Sequence, residues 1–342
     1  MKFSNIILFV SISIVLLLSG CDKDDSVSPE ETLHLPTVIT ANITDITYNT
    51  AISGGEVKED GGSEVIARGV VWCRSSKPTL DDNKTNDGSG LGSFTSNITD
   101  LQSGTNYHVR AYATNSDGTA YGISILFRTI QETGTVTDID GNEYGTVKIG
   151  DQWWMAENLK VTRYNDGTDI DYPVDNQDWM DRTTGAYNWY NHNYDTYGSV
   201  YGALYNWHTI ETGNLCPEGW VVPSDAEWTK LSDYLGGNDV AGGKLKSTRT
   251  EPAPHPRWNS PNAGATNESG FSALPGSMRF YHGGYSENYP IGSRGYYWTS
   301  TKIDDSEFAW SRFIYSENPW ISGYDGSRQR SGRSVRCMMY EE

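Results

Sequence analysis

The sequence predicts a β-rich, multi-domain chain, a β-sandwich followed by an α+β domain. Three observations carry this expectation. About 320 of the 342 residues remain once an apolar leader is set aside, which is enough for two domains. Gly, Trp and Tyr are abundant, at 36, 12 and 22 residues, while long apolar helical runs are absent. The composition also breaks near residues 131–134, beyond which lie eleven of the twelve tryptophans and eighteen of the twenty-two tyrosines.

The leader comes first. Lys2 is followed by an unbroken run of apolar residues and serines from Ile6 to Leu18. Thirteen residues fall short of the roughly 20 that a spanning helix needs, so residues 1–20 read as a secretory signal. Leu18-Ser19-Gly20-Cys21 resembles the bacterial lipobox, which implies cleavage before Cys21 and lipid on that cysteine. Residues 21–35 read as an acidic, solvated tether. Its start, Asp22-Lys23-Asp24-Asp25, is similar to the acidic tag that carries some lipoproteins to the outer face of the outer membrane. The expected location is therefore the outer membrane, exposed at the cell surface, with contact to the membrane through the lipid alone.

Without the leader the chain has 25 basic and 44 acidic residues, a net charge of −19. Nucleic acid needs a basic footprint and is excluded as a partner. The acidity serves solubility.

Residues 36–130 show short alternating runs separated by turn residues. The runs 51–57, 67–73, 107–113 and 123–128 read as strands, and Gly61-Gly62, Asp87-Gly88 and Asp117-Gly118 as turns. Strands at this spacing favour a sandwich. The segment from Leu101 through Tyr107 to Asn115 resembles the F strand of fibronectin type III-like domains, in which the Leu packs under the Tyr and the Tyr hydroxyl caps the corner. This domain is expected to be a spacer.

The second domain, 135–342, carries eight motifs in order. They include Trp153-Trp154-Met155, Tyr201-Gly202, Cys216-Pro217-Glu218-Gly219-Trp220 with Glu227-Trp228, Gly242-Gly243-Lys244, Gly270-Phe271, Tyr297-Trp298, Phe308-Ala309-Trp310 and Ser334-Val335-Arg336-Cys337. The series resembles the fibrobacter-type major paralogous domain (FISUMP) over about residues 135–340. That resemblance implies an α+β fold related to the C-type lectin and sulfatase-modifying-factor folds, on secreted or surface proteins.

Local chemistry agrees with a mixed fold. Ser224 and Glu227 form a capping box, Trp228, Leu231, Tyr234 and Leu235 share one helical face, and Gly236-Gly237 ends that helix. A shorter helix is expected over 200–210, with Leu204 and Trp207 inward. Trp153, Trp220, Trp228, Trp298 and Trp310 are expected in the core. With Cys21 taken by lipid, Cys216 and Cys337 are the expected disulfide, and Cys73 a small buried hydrophobe.

The search for chemistry gives a binding protein rather than an enzyme. The six histidines show no metal spacing, and no nucleophile, base and acid fall in a recognisable order. A sulfatase-modifying-type cysteine reaction needs an exposed thiolate, which a bridged Cys337 lacks. Lectin-type calcium binding needs several oxygen ligands. The nearest texts, Glu251-Pro252-Ala253 and Trp258-Asn259-Ser260, each lack the last one, so no cofactor is expected. Asp169, Asp171, Asp304 and Asp305 read as solvated surface acids.

What remains is aromatic. Residues 179–197, 257–259, 281–289 and 320–324 are aromatic loops. Aromatic faces stack on sugar C–H surfaces and also anchor protein interfaces. Trp258, Tyr285, Tyr289, Trp320 and Tyr324 are the expected ligand-binding residues. A glycan or polysaccharide is the expected partner, and a protein of a surface assembly is the alternative.

Overall fold

The computed structural model describes residues 33–285, 287–304 and 306–340. The expected signal, Cys21 and all but the last residues of the tether lie outside them. Among the described residues no helix is long and apolar enough to cross a membrane.

The first eight strands build a two-layer sandwich. They are β1 (Thr37–Thr40), β2 (Ala51–Glu59), β3 (Ala67–Cys73), β4 (Asn83–Lys84), β5 (Gly92–Ile98), β6 (Asn106–Asn115), β7 (Gly118–Tyr121) and β8 (Ile125–Arg128). One sheet has the order β1-β2-β5 and the other β4-β3-β6-β7, with β8 also on β6. This is a fibronectin type III-like arrangement. Period-2 alternation puts Val70, Val109, Ile98 and Ala51 between the layers. Leu101 packs in the same cluster as Tyr107, whose hydroxyl accepts from the Gln102 N–H at 3.1 Å. Cys73 is half-buried rather than buried, because it ends β3, and its Sγ lies 3.1 Å from the Ser75 hydroxyl.

The remaining chain is α+β. Its strands are β9 (Thr133–Thr137), β10 (Glu143–Ile149), β11 (Gln152–Met155), β12 (Tyr187–Asn188), β13 (Leu204–Tyr205), β14 (Trp220–Val221), β15 (Arg294–Lys302), β16 (Phe308–Tyr315), β17 (Ile321–Arg328) and β18 (Met338–Met339). Its helices are α1 (Asn176–Met180), α2 (Ser199–Tyr201), α3 (Trp207–Glu211), α4 (Asp225–Tyr234) and α5 (Asn238–Leu245). One sheet has the order β14-β18-β11-β10-β9, and a second, antiparallel sheet has the order β15-β16-β17.

The helix α4 forms as its capping box requires. Ser224 accepts from the Glu227 N–H, and the Glu227 carboxylate accepts from the Ser224 N–H. Trp228, Leu231 and Leu235 are buried against Trp154, Phe271 and Tyr297. Burial of a side chain of this size stabilises by about 3 kcal/mol.

Two expectations change here. The single helix over 200–210 is instead α2, β13 and α3, because Gly202 sits at φ +79 and turns the chain. Leu204 and Trp207 still point inward. Of the five core tryptophans, Trp220, Trp228 and Trp298 are buried, whereas Trp153 and Trp310 are half-buried. Alternation along β11 turns Trp154 into the cluster of Trp228 and Phe271, while Trp153 packs half-buried on the other side against the cluster that holds Met155. The motif glycines Gly242 and Gly243 lie within α5, where a Cβ on either would strike the backbone of Trp320 or Gly264. Their small size lets the 319–320 and 264 segments pack on the helix.

The disulfide is formed. Cys216 and Cys337 bond across a sequence separation of 121 residues, inside the cluster that holds Trp207, Trp220 and Trp298.

Candidate functional site

The antiparallel sheet β15-β16-β17 has two chemically different faces. Register sets them: Tyr296 opposes Phe313, Tyr297 opposes Arg312, and Ser311 opposes Tyr324. Tyr297, Ile314 and Ile321 turn inward to α4 and α5. Arg294, Tyr296, Phe313, Tyr315 and Tyr324 fall in the opposite phase. Trp320, one residue before β17, is in step with Tyr324.

This second face is aromatic and cationic, buried at Tyr296 and Trp298 and open to solvent at Trp320 and Tyr324. Arg294 lies between Tyr289, at 3.5 Å from the ring centre, and Tyr315, at 5.0 Å. Tyr296 and Phe313 meet edge to face at 4.9 Å, and Phe313 continues to Tyr324 at 5.8 Å. Below them the Arg333 guanidinium packs on Tyr296, Trp298 and Phe313. Burial lowers its pKa to about 10, and no protein group accepts from its Nε or Nη1. Tyr289, Trp320 and Tyr324 are 36%, 51% and 49% exposed.

Two expected ligand-binding residues do not belong to this surface. Trp258 is fully buried: its indole N–H donates to the Ala273 carbonyl at 3.0 Å, and its ring lies under Lys246. A ring in the core cannot stack on a ligand. The Tyr285 hydroxyl is committed to Asn188 and the Trp189 carbonyl, at 2.9 and 2.8 Å, and burial raises its pKa. The aromatic segment 179–197 is likewise packed inward at Trp179, Tyr187, Trp189 and Tyr190. The buried Arg279 holds it, donating to the carbonyls of Pro173, Val174 and Gly283 and lying 4.4 Å from the Trp179 ring centre.

The Fibrobacter succinogenes major domain model matches residues 147–338. The chain belongs to this family. The matched span of the Fibrobacter major domain runs from the end of β10 to the first residue of β18 and contains the whole aromatic face. No curated protein matches the chain. Among solved structures, the sensor domain of the anti-sigma factor RsgI4 of Pseudobacteroides cellulosolvens is 14% identical with a TM-score of 0.23, covering 29% of this chain and 98% of that one. A fibronectin type III domain from the human KIAA0970 protein is 17% identical with a TM-score of 0.21, covering 33% and 85%.

Among the described residues of the Fibrobacter major domain and the sandwich, no three His, Cys, Asp or Glu side chains group as metal ligands. Glu251 pairs with Arg257 at 2.5 Å, Asp171 with Arg182 at 2.5 Å, and the Asn259 backbone N–H donates to Gly292. Arg294, Phe313, Tyr315 and Arg333 join the site although the sequence did not single them out. The available signal was period-2 alternation through Arg294, Tyr296 and Trp298, in phase with Tyr324.

Proposed function

We propose that this chain is a lipoprotein, anchored through lipid on Cys21 at the outer membrane surface, whose second domain binds a glycan or related polymer. The observation that carries the reading is that the exposed Tyr289, Trp320 and Tyr324 and the half-buried Arg294 and Tyr315 share one side of a three-stranded sheet. Sugar C–H bonds carry partial positive charge and pack on the negative faces of aromatic rings. Arginine donors then read hydroxyl or carboxylate oxygens. The resemblance to the fibrobacter-type major paralogous domain, with the lectin-related fold it implies, supports a recognition role. In this reading the sandwich is a spacer.

The test is binding of the full chain, in detergent, to a glycan array and to insoluble polysaccharides, with calcium and with chelator. Binding that is insensitive to chelator and at least tenfold weaker in Trp320→Ala and Tyr324→Ala is the expected result. Binding that both substitutions leave intact removes the face from the proposal. Silence of the whole panel favours a second reading, a protein partner, because Tyr, Trp and Arg are also the residues that dominate protein interfaces. Crosslinked capture of one discrete partner, lost in the same two variants, is its signature.

A further inference from the structure

A second site lies away from the aromatic face, in the cleft between the sandwich and the Fibrobacter major domain. The two domains touch through specific groups. The Thr105 and Tyr234 hydroxyls lie 3.1 Å apart, Arg128 donates to the Glu268 carbonyl at 2.6 Å, and Arg74 lies over the Tyr234 ring. Beside these contacts is a cavity of about 250 Å³.

Its charge is opposite to that of the chain. Arg74 and Arg128 enter from the sandwich, and Lys148 and Lys244 from the second domain. Lys244 pairs with Glu268, the one carboxylate among the lining residues, at 3.0 Å. Lys148 pairs with Glu132 at 3.6 Å. Four cations against two carboxylates leave two positive charges at a cleft in a protein of net charge −18. Much of their donor capacity is also unspent. An arginine has five N–H donors. Arg74 uses one on Gln102, and Arg128 uses two, on Asn106 and Glu268. Cations on the walls of a cleft focus potential and raise the local anion concentration.

The geometry points to an oxyanion site shared by the two domains, which takes a phosphate or sulfate group together with at most a small sugar. Tetrahedral oxyanions offer several acceptors to donors converging from different sides, which suits arginines and lysines on opposing walls. The cavity is slightly smaller than an ordinary small-ligand pocket. A ligand held from both walls ties the domains together, so binding raises the melting temperature of both.

This site is independent of the aromatic face, and its test is separate. Calorimetric titration of the full chain in detergent uses inorganic phosphate, inorganic sulfate, pyrophosphate and glucose 6-phosphate, each at low salt and at 0.3 M sodium chloride. Expected is saturable one-to-one binding of at least one probe. It weakens with salt, falls about tenfold in Arg74→Ala and in Lys244→Ala, and is unchanged in Lys58→Ala, a surface cation elsewhere on the sandwich. Tighter binding of glucose 6-phosphate than of phosphate assigns the remaining volume to the sugar. Absence of saturable binding with all four probes, or equal affinity in Arg74→Ala, Lys244→Ala and the parent, overturns the proposal. Circular dichroism of each variant separates loss of binding from loss of fold.

Discussion

The aromatic face depends on a glycine that lies outside it. Gly242 sits inside α5, and a Cβ there would lie 2.5 Å from the carbonyl carbon of Trp320 and 2.8 Å from the Pro319 oxygen, and closer still to the Trp320 oxygen. Carbon contacts relax near 3.5 Å, so Gly242→Ala must push the helix and the 319–320 backbone apart by about 1 Å. That backbone is pinned. The Pro319 carbonyl accepts from Gly243 at 2.8 Å, and the Asn318 carbonyl accepts from Lys246 at 3.1 Å. Helix propensity alone favours Ala over Gly by about 1 kcal/mol. Overpacking against fixed backbone costs about 1–3 kcal/mol, and the upper end applies because neither atom belongs to a flexible side chain. The expected balance is a net loss of about 1–2 kcal/mol. The assay is urea unfolding followed by tryptophan fluorescence, with ligand binding at the face measured on the same protein. Trp320 starts the displaced segment, so affinity falls as well. A gain in stability of about 1 kcal/mol with unchanged binding would show propensity acting alone and refute the packing argument.

Three further outcomes follow from the same geometry. Trp258→Ala loses about 3–5 kcal/mol in chemical denaturation because it empties a core position, while the half-exposed Trp320→Ala changes stability by less than about 0.5 kcal/mol. Comparable losses in the two variants would contradict the assigned burial. Reduction of Cys216–Cys337 frees a loop of 121 residues, and the chain-entropy model puts the loss at about 5 kcal/mol, read as a lowered unfolding midpoint in dithiothreitol. Lys246 supplies a pH signature. Burial lowers its pKa to about 8, while its ammonium donates to the carbonyls of Ala263, Tyr315 and Asn318. Between pH 8 and the unfolded lysine value the unfolded chain binds more protons, so this group makes stability rise with pH across that window and adds no slope below it. The full rise is ~3 kcal/mol, and Lys246→Met removes the slope. Parallel curves for parent and variant from pH 8 to 9.5 would rule out the shift.

Local patterns revealed much of the fold and less of the site. Strands β2, β3 and β6 were visible because each alternates through a two-sided sheet, and α4 because Ser224, Glu227 and Gly236 mark both ends. The helix α5 was hidden. Its paired glycines entered only as a motif, and the neighbouring Trp320 and Gly264 backbones explain them. Trp258 was misjudged for a related reason. Its neighbours Arg257, Asn259 and Ser260 are loop residues, while its burial comes from Ala273 and Lys246, which are distant in sequence. Composition singled out Tyr289, Trp320 and Tyr324, which the structure leaves exposed. Arg294, Phe313 and Tyr315 join them only through strand register, which no single segment encodes.

The second domain begins and ends in one sheet. The chain arrives through β9, and its last strand, β18, lies between β14 and β11 in the same five-stranded layer. Everything that forms the aromatic face is a long excursion between β11 and β18, closed at its base by strand pairing and by Cys337. A unit whose first and last strands lie in one sheet, separated by two strands, closes on itself and can be joined to other modules without prising them open. The aromatic face can thus be carried from one protein architecture to another as a single cassette, with only the lengths of the flanking tethers to adjust.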